Sequence, residues 1–364
     1  MTSEECFLIL NGLPKIGPVQ VKRLISSFGS VEALFSCSES KLEAVEGVTR
    51  AAANSISNWA RYFDLDEELK KIEKYQVVII HWEHSDYPQM LKEIYDPPLV
   101  LYCRGDVSIL AKKGIGIVGS RKTTYYGLET AKKLSYQIAY SGMTVISGLA
   151  RGIDTAAHQG ALAAKGKTVA VLGSSLDHLY PTENRSLAKM MVEQEGAVIT
   201  EFPFGTPPDR QTFPMRNRIV SGMSSGVLVV EAGDKSGALI TSRMALEQGR
   251  PVFAVPGRIT SPESKGCHLL IKEGAQLVES VEDILSEFEF FSPKIEENEK
   301  RSWPDDLSPE EKKILELMEV DEMQIDTIIR KCGLPSPVVS STLLRLEMRK
   351  LVRQLPGKLF IKTD

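Results

Sequence analysis

Short runs of consecutive apolar residues alternate with longer, helix-patterned stretches from about residue 114 to residue 288. The runs occupy 115–118, 144–146, 169–172 and 227–230. Strands that are apolar on both faces belong inside a parallel sheet, and the stretches between them supply the helices that cover it. The pattern predicts an α/β domain over 65–290, Rossmann-like and doubly wound around a mostly parallel sheet. Two further apolar runs, 77–80 and 99–102, extend or flank that sheet.

The two ends of the chain read differently. Residues 4–63 pattern as short helices alone, punctuated by Pro14-Lys15-Ile16-Gly17-Pro18 and by Val45-Glu46-Gly47-Val48-Thr49. Each turn resembles that of a helix-hairpin-helix, so 1–64 is expected to be a SAM-like helical domain. Such turns can hold a DNA phosphate, but Lys15 replaces the first glycine of one copy and Thr49 the last of the other, which favours a structural role. Residues 291–306 are polar and acidic without apolar period, the composition of a linker. Order resumes at Ser308-Pro309-Glu310-Glu311, a capping box with proline at the first helical position. Three helical patterns and a hairpin around Pro356-Gly357 then predict a winged helix over 307–364. Its third helix and wing carry Arg345, Arg349, Lys350, Arg353, Lys358 and Lys362, a face suited either to DNA or to protein contacts.

Composition narrows the function. At 364 residues, with 42% hydrophobic and 25% charged, the chain holds several ordinary globular units. A net charge of -4 means that any positive surface is local. Cys6, Cys37, Cys103, Cys267 and Cys332 show neither disulfide-framework nor zinc-ligand spacing. No apolar run approaches the ~20 residues of a membrane span, and Met1-Thr2-Ser3-Glu4-Glu5 is not the start of a signal peptide. A soluble cytoplasmic protein without cofactor or metal is expected.

The candidate chemistry lies where the strands end. Gly119-Ser120-Arg121-Lys122, Ser147-Gly148-Leu149-Ala150-Arg151-Gly152, Gly173-Ser174-Ser175 and Ala232-Gly233-Asp234-Lys235-Ser236-Gly237 each follow an apolar run. In an open parallel sheet these turns share one edge and line one crevice. Arg121, Lys122, Arg151 and Lys235 supply cations, and Met215-Arg216-Asn217-Arg218 is expected to add more from a nearby loop. Asp154 is expected to cap the helix that follows the second turn. Arginine forks, hydroxyls and glycine-flanked amides suit a row of phosphates, as in a nucleic-acid backbone. Tyr125, Tyr126, Phe202, Phe204 and Phe213 lie near these loops, as stacking platforms or as ordinary packing.

These residues resemble the DNA-processing protein A (DprA/Smf) family. The resemblance rests on Gly119-Ser120-Arg121, on 147–154 with His158, on Tyr180-Pro181-Thr182-Glu183-Asn184, on Glu201-Phe202-Pro203, on 213–219, on 236–241 and on Ala254-Val255-Pro256-Gly257. It implies a homodimer that binds single-stranded DNA, protects incoming strands and loads a RecA-type recombinase during natural transformation. Carried onto this chain, the implied DNA-binding residues are Gly119, Ser120, Arg121, Ser147, Gly148, Arg151, Arg216, Asn217, Arg218, Lys235, Ser236 and Gly237, with Arg121 foremost and no catalytic residue.

Enzymatic readings fit less well. Gly114-Ile115-Gly116-Ile117-Val118-Gly119 satisfies G-x-G-x-x-G, yet it spans a strand instead of following one. The lysine-decarboxylase-like nucleotide phosphoribohydrolases, the alternative among nucleotide-binding enzymes, carry a catalytic glutamate within Pro-Gly-Gly-x-Gly-Thr-x-x-Glu. Here 232–241 lacks that acid, and Glu231 precedes the turn. His81, His84 and Asp86 read as a surface loop in preference to a metal site. A scaffold that binds only proteins would leave the cationic strand-end turns without a purpose.

Overall fold

Five short helices open the chain in the computed structural model, which describes residues 1–288, 307–318, 323–349, 351–355 and 357–362. They are α1 (Ser3–Gly12), α2 (Pro18–Phe28), α3 (Val31–Ser36), α4 (Glu39–Glu43) and α5 (Arg50–Ser57). Their starts follow capping chemistry: Thr2 and Glu5 form a capping box, Pro18 occupies the first turn of α2, and Thr49 accepts from the Ala52 amide. Gln20 Nε2 donates to the Gly47 carbonyl at 3.1 Å and Arg23 Nη1 to the Glu46 carbonyl at 3.0 Å, so the two hairpin turns are tied to each other.

After α6 (Leu65–Tyr75) come β1 (Val78–His81), α7 (Gln89–Lys92) and β2 (Val100–Gly105). The alternating region then gives β3 (Gly114–Val118), α8 (Tyr125–Tyr140), β4 (Thr144–Ser147), α9 (Ile153–Ala163), β5 (Thr168–Val171), α10 (Arg185–Glu193) and β6 (Ala197–Thr200). It continues with α11 (Thr212–Met223), β7 (Gly226–Val229), α12 (Ala238–Glu247), β8 (Val252–Ala254), α13 (Lys265–Lys272), β9 (Gln276–Leu277) and α14 (Val281–Leu285). The strands form one sheet in the order β1-β2-β6-β5-β4-β3-β7-β8-β9. From β6 to β9 all pairs are parallel, while β1 and β2 add an antiparallel extension. Strands β3 to β8 are buried along their whole length, as their unbroken apolar runs require.

The winding direction reverses at β3. The chain leaves it toward β4, β5 and β6, then returns through α11 to pair β7 on its other side. This is the doubly wound topology, and the reversal creates a crevice beyond the carboxyl ends of β3 and its neighbours.

The chain divides into two compact units, Met1–Pro293 and Lys294–Asp364. The helical N-terminal region belongs to the first because it packs on the sheet. Phe7 stacks on His81 with ring centroids 4.9 Å apart, and Asn11 Nδ2 donates to the Glu201 carbonyl at 2.8 Å. His81 is therefore buried at the end of β1, not in a surface loop as its spacing with His84 and Asp86 suggested. Among the described residues no group of three or more His, Cys, Asp or Glu could hold a metal ion.

In the second unit α15 (Pro309–Leu317), α16 (Ile325–Cys332) and α17 (Ser336–Met348) surround Ile314, Ile328, Val339, Leu343 and Leu346. The wing is β11 (Val352–Leu355) with β12 (Leu359–Lys362), and a short β10 (Met323–Gln324), not foreseen from sequence, pairs with β12. Ser308 and Glu311 make the expected capping box. The linker expected over 291–306 lies outside the described residues, as do Lys350 and Pro356.

Gly160 marks the closest approach of α8 and α9. A Cβ there would lie 2.3 Å from the Lys132 carbonyl oxygen and 2.1 Å from Ser135 Oγ. In an open helix interior Gly→Ala stabilises by about 1 kcal/mol. Gly160→Ala is expected to reverse that sign, losing roughly 1–3 kcal/mol through overpacking. Urea denaturation midpoints test this; a gain in stability would refute the close contact.

Candidate nucleic-acid interface

Ser120 is the residue on which three strand-end turns converge. It follows β3, its amide donates to the Glu231 carbonyl beyond β7 at 2.7 Å, and its own carbonyl accepts the Ile153 amide beyond β4 at 3.3 Å. Gly152, at φ 78°, crosses so close that a Cβ would fall 2.3 Å from the Ser120 carbonyl oxygen, and only glycine meets both demands.

Glu231 locks the same junction from its side chain. Its carboxylate accepts from Thr123 Oγ1 at 2.5 Å, from the Thr124 amide at 2.8 Å and from Thr124 Oγ1 at 2.8 Å. Thr124 in turn caps α8. A buried carboxylate thus faces the amino end of α8, where the helix dipole favours negative charge.

The β4–α9 turn corrects one expectation. Gly152, not Asp154, precedes the first residue of α9, and Asp154 lies inside the first turn. Its carboxylate reaches back to accept the Gly148 amide at 3.1 Å and the Ala150 amide at 3.3 Å. An internal anion therefore occupies the cradle that the Gly/Ser pattern forms. Burial raises the Asp154 carboxyl, opposed first by the charge of Arg216 and then by those two amides.

Residues 215–218 lie in α11, not in a loop, which explains the fate of their charges. Arg216 is buried against Gly148 and donates to the Val171 carbonyl at 2.8 Å. Arg218 is buried on another side of the helix, with Asp96 at 3.2 Å and Glu201 in direct contact. Asn217 is half-buried between them. Ser147 Oγ donates to the Ile117 carbonyl at 2.6 Å and is also internal. Below Arg216, His158 sits fully buried with Nδ1 2.7 Å from Thr168 Oγ1. Burial first, and the Arg216 charge second, lower its pKa to about 3, so the imidazole is neutral.

Four cations stay on the outside. Arg121, Lys122, Arg151 and Lys235 are exposed around the junction, and Ser236 and Gly237 lead into α12 beside Lys235. The Arg121 guanidinium lies over Phe213, 4.9 Å from the ring centroid. Phe213 leans toward Tyr180 with centroids 6.1 Å apart, and Arg151 lies 5.6 Å from the Tyr180 centroid. Gly173 after β5 makes room for Phe213, whose ring would stand 2.7 Å from a Cβ there. Arg151 also pairs with Glu183. Of the other aromatic candidates, Phe204 packs internally on Tyr75 and Tyr102, and Tyr126 Oη donates to the Pro256 carbonyl at 2.9 Å. The roles of Tyr180, Glu183 and Glu231 had no distinct signal in the sequence, because each depends on a partner distant along the chain.

A doubly wound domain with a cationic, aromatic-lined crevice, between a helical hairpin pair and a winged helix, defines the class. Residues 78–289 match the family described as DNA recombination-mediator protein A, 298–358 the DprA winged helix domain, and 7–58 a SAM-like helix-hairpin-helix tandem. Protein Smf of Escherichia coli is 38% identical over 316 residues, covering 85% of this chain and 84% of that protein. DNA processing protein DprA of Bacillus subtilis is 47% identical over 204 residues, covering 56% and 68%. Among solved structures, DprA of Streptococcus pneumoniae superposes with a TM-score of 0.68 at 35% identity, covering 80% of this chain and 99% of that one. A Helicobacter pylori DprA structure, described for its single-stranded DNA binding mode, superposes at 0.53 with 29% identity, covering 58% and 95%. The chain belongs to the DprA/Smf family of DNA recombination mediators.

The neutral His158 yields a pH signature. Unfolded, its imidazole takes a proton near 6.5; folded, it resists until about 3. Its contribution is present above 6.5 and drains away as pH falls toward 3, by roughly 1.4 kcal/mol per pH unit. His158→Gln, which cannot titrate, is expected to close its stability deficit against the parent by about 2 kcal/mol between pH 6.5 and 5. Parallel denaturation curves for the two proteins across that range would contradict a buried neutral ring.

Proposed function

We propose that this chain binds single-stranded DNA along the carboxyl edge of its sheet and delivers the strand to a RecA-type recombinase. The observation that carries the reading is the convergence on Ser120 of three turns that leave Arg121, Lys122, Arg151 and Lys235 exposed on one rim. Phosphates would meet these charges, while Phe213 and Tyr180 offer ring faces to bases. In this reading Ser147, Gly148 and Arg216 act from beneath, shaping the rim, and Arg218 lies outside it. The single-stranded DNA named for the Helicobacter pylori relative supports the same ligand here.

The protein works by binding and not by catalysis. A phosphoribohydrolase would need Glu231 as its acid or base, and that carboxylate is held by Thr123 and Thr124 at the start of α8. The proposed active form is a cytoplasmic homodimer serving natural transformation. Ile259, 87% exposed, with Leu269 and Leu277, places apolar surface near the β9 end of the sheet, where a second copy can cover it. Among the described residues no helix is long and apolar enough to cross a membrane.

Arg121→Glu is expected to weaken binding to oligothymidylate at least tenfold in a gel-shift titration while leaving the melting temperature unchanged. Arg121→Ala should lower the slope of log affinity against log salt by about 0.7, the value for one phosphate contact on a single strand. Unaltered affinity and slope in both variants would remove the rim from the binding site.

A further inference from the structure

A second polar cavity lies on the first unit, between α11, the end of α12 and the segment joining α7 to β2. It encloses about 590 Å³, within the range of small-molecule sites, and shares no lining residue with the Ser120 junction. Three of its lining side chains hold buried polar atoms without partners: Arg218 Nη1, Arg250 Nε and Gln248 Oε1. Arg218 is 7% exposed, so its unpaired donor is deep. Buried polar groups are otherwise paired almost without exception, and such atoms gathered in one cavity form a complementary surface that lacks its ligand.

The donors and acceptors specify what fits. Gln248 Nε2 donates to the Arg218 carbonyl at 3.2 Å, which fixes its amide with Oε1 as an acceptor. Arg250 Nη2 is anchored on the Met90 carbonyl at 3.0 Å, which leaves Nε as the free donor. Asp96, Glu93 and Glu247 line the same cavity and accept N–H groups, while repelling a phosphate dianion. Tyr95, 81% exposed, supplies a ring at the mouth. The ligand therefore presents acceptors to two arginines, N–H donors to carboxylates and a planar face to tyrosine.

We infer that this cavity receives a guanine base. Guanine offers O6 and N7 to arginine, and its N1–H and N2–H₂ lie on the adjoining edge, in reach of carboxylates. Adenine would turn its N6 amine toward the same arginines, donor against donor. The base can come from a free nucleoside or nucleotide, or from a bound strand; the latter source rests on the single-strand reading above.

Isothermal titration with guanosine, adenosine and inorganic phosphate is the first test, and competition between oligothymidylate and the same oligomer with one central dG is the second. Guanosine should bind at least tenfold more tightly than adenosine, and phosphate not at all. If the strand is the source, the dG oligomer alone should show the preference. In either case Arg250→Met, Gln248→Leu and Tyr95→Ala should abolish it while leaving oligothymidylate binding and melting temperature unchanged. Absence of guanine preference in both assays, or preference that survives all three substitutions, would overturn the inference and mean that water fills the cavity. Oligothymidylate binding, read separately, reports on the single-strand reading by itself.

Discussion

Two neighbouring loops of a doubly wound sheet diverge at the switch point, and something must hold them together. Here Glu231 does so twice, its main chain accepting Ser120 and its side chain accepting Thr123 and Thr124. Without that double bond the β3–α8 turn would have no fixed position relative to β7, and Arg121 would have no defined place above Phe213. The direction of α8, the crossing of Gly152 and the rim of exposed charge all follow from the one carboxylate.

A second constraint decides which groups face outward. The amides of a glycine-rich turn attract an anion, and in this chain two such demands are met by the protein's own acids, Asp154 and Glu231. Arg216 then balances Asp154 from below. Charge is sorted into layers: a buried set that fixes geometry and an exposed set, Arg121, Lys122 and Lys235, that is available to a ligand.

The architecture was legible because consecutive apolar runs such as 115–118 and 227–230 admit little but buried parallel strands, and because Ser308 and Glu311 announce a helix start in their own few residues. The Gly-Ser-Arg and Lys-Ser-Gly turns were legible for the same local reason. What was hidden depends on direction around a helix. Arg216 and Arg218 stand two positions apart in α11, and sequence cannot tell that both point into protein. Likewise Asp154 was one residue from a capping role, and only the crossing at Ser120 shifts that task to Gly152.

The pairing of Arg151 with Glu183 gives the rim a built-in competitor. An incoming polyanion that reaches this guanidinium must evict a carboxylate tethered to the same molecule, not a loosely held ion from solution. Engagement there is an exchange of one intramolecular partner for an external one, with little net release of mobile counterions. Arg151 is accordingly poised to sense occupancy, freeing Glu183 and the loop that carries it whenever the rim is filled.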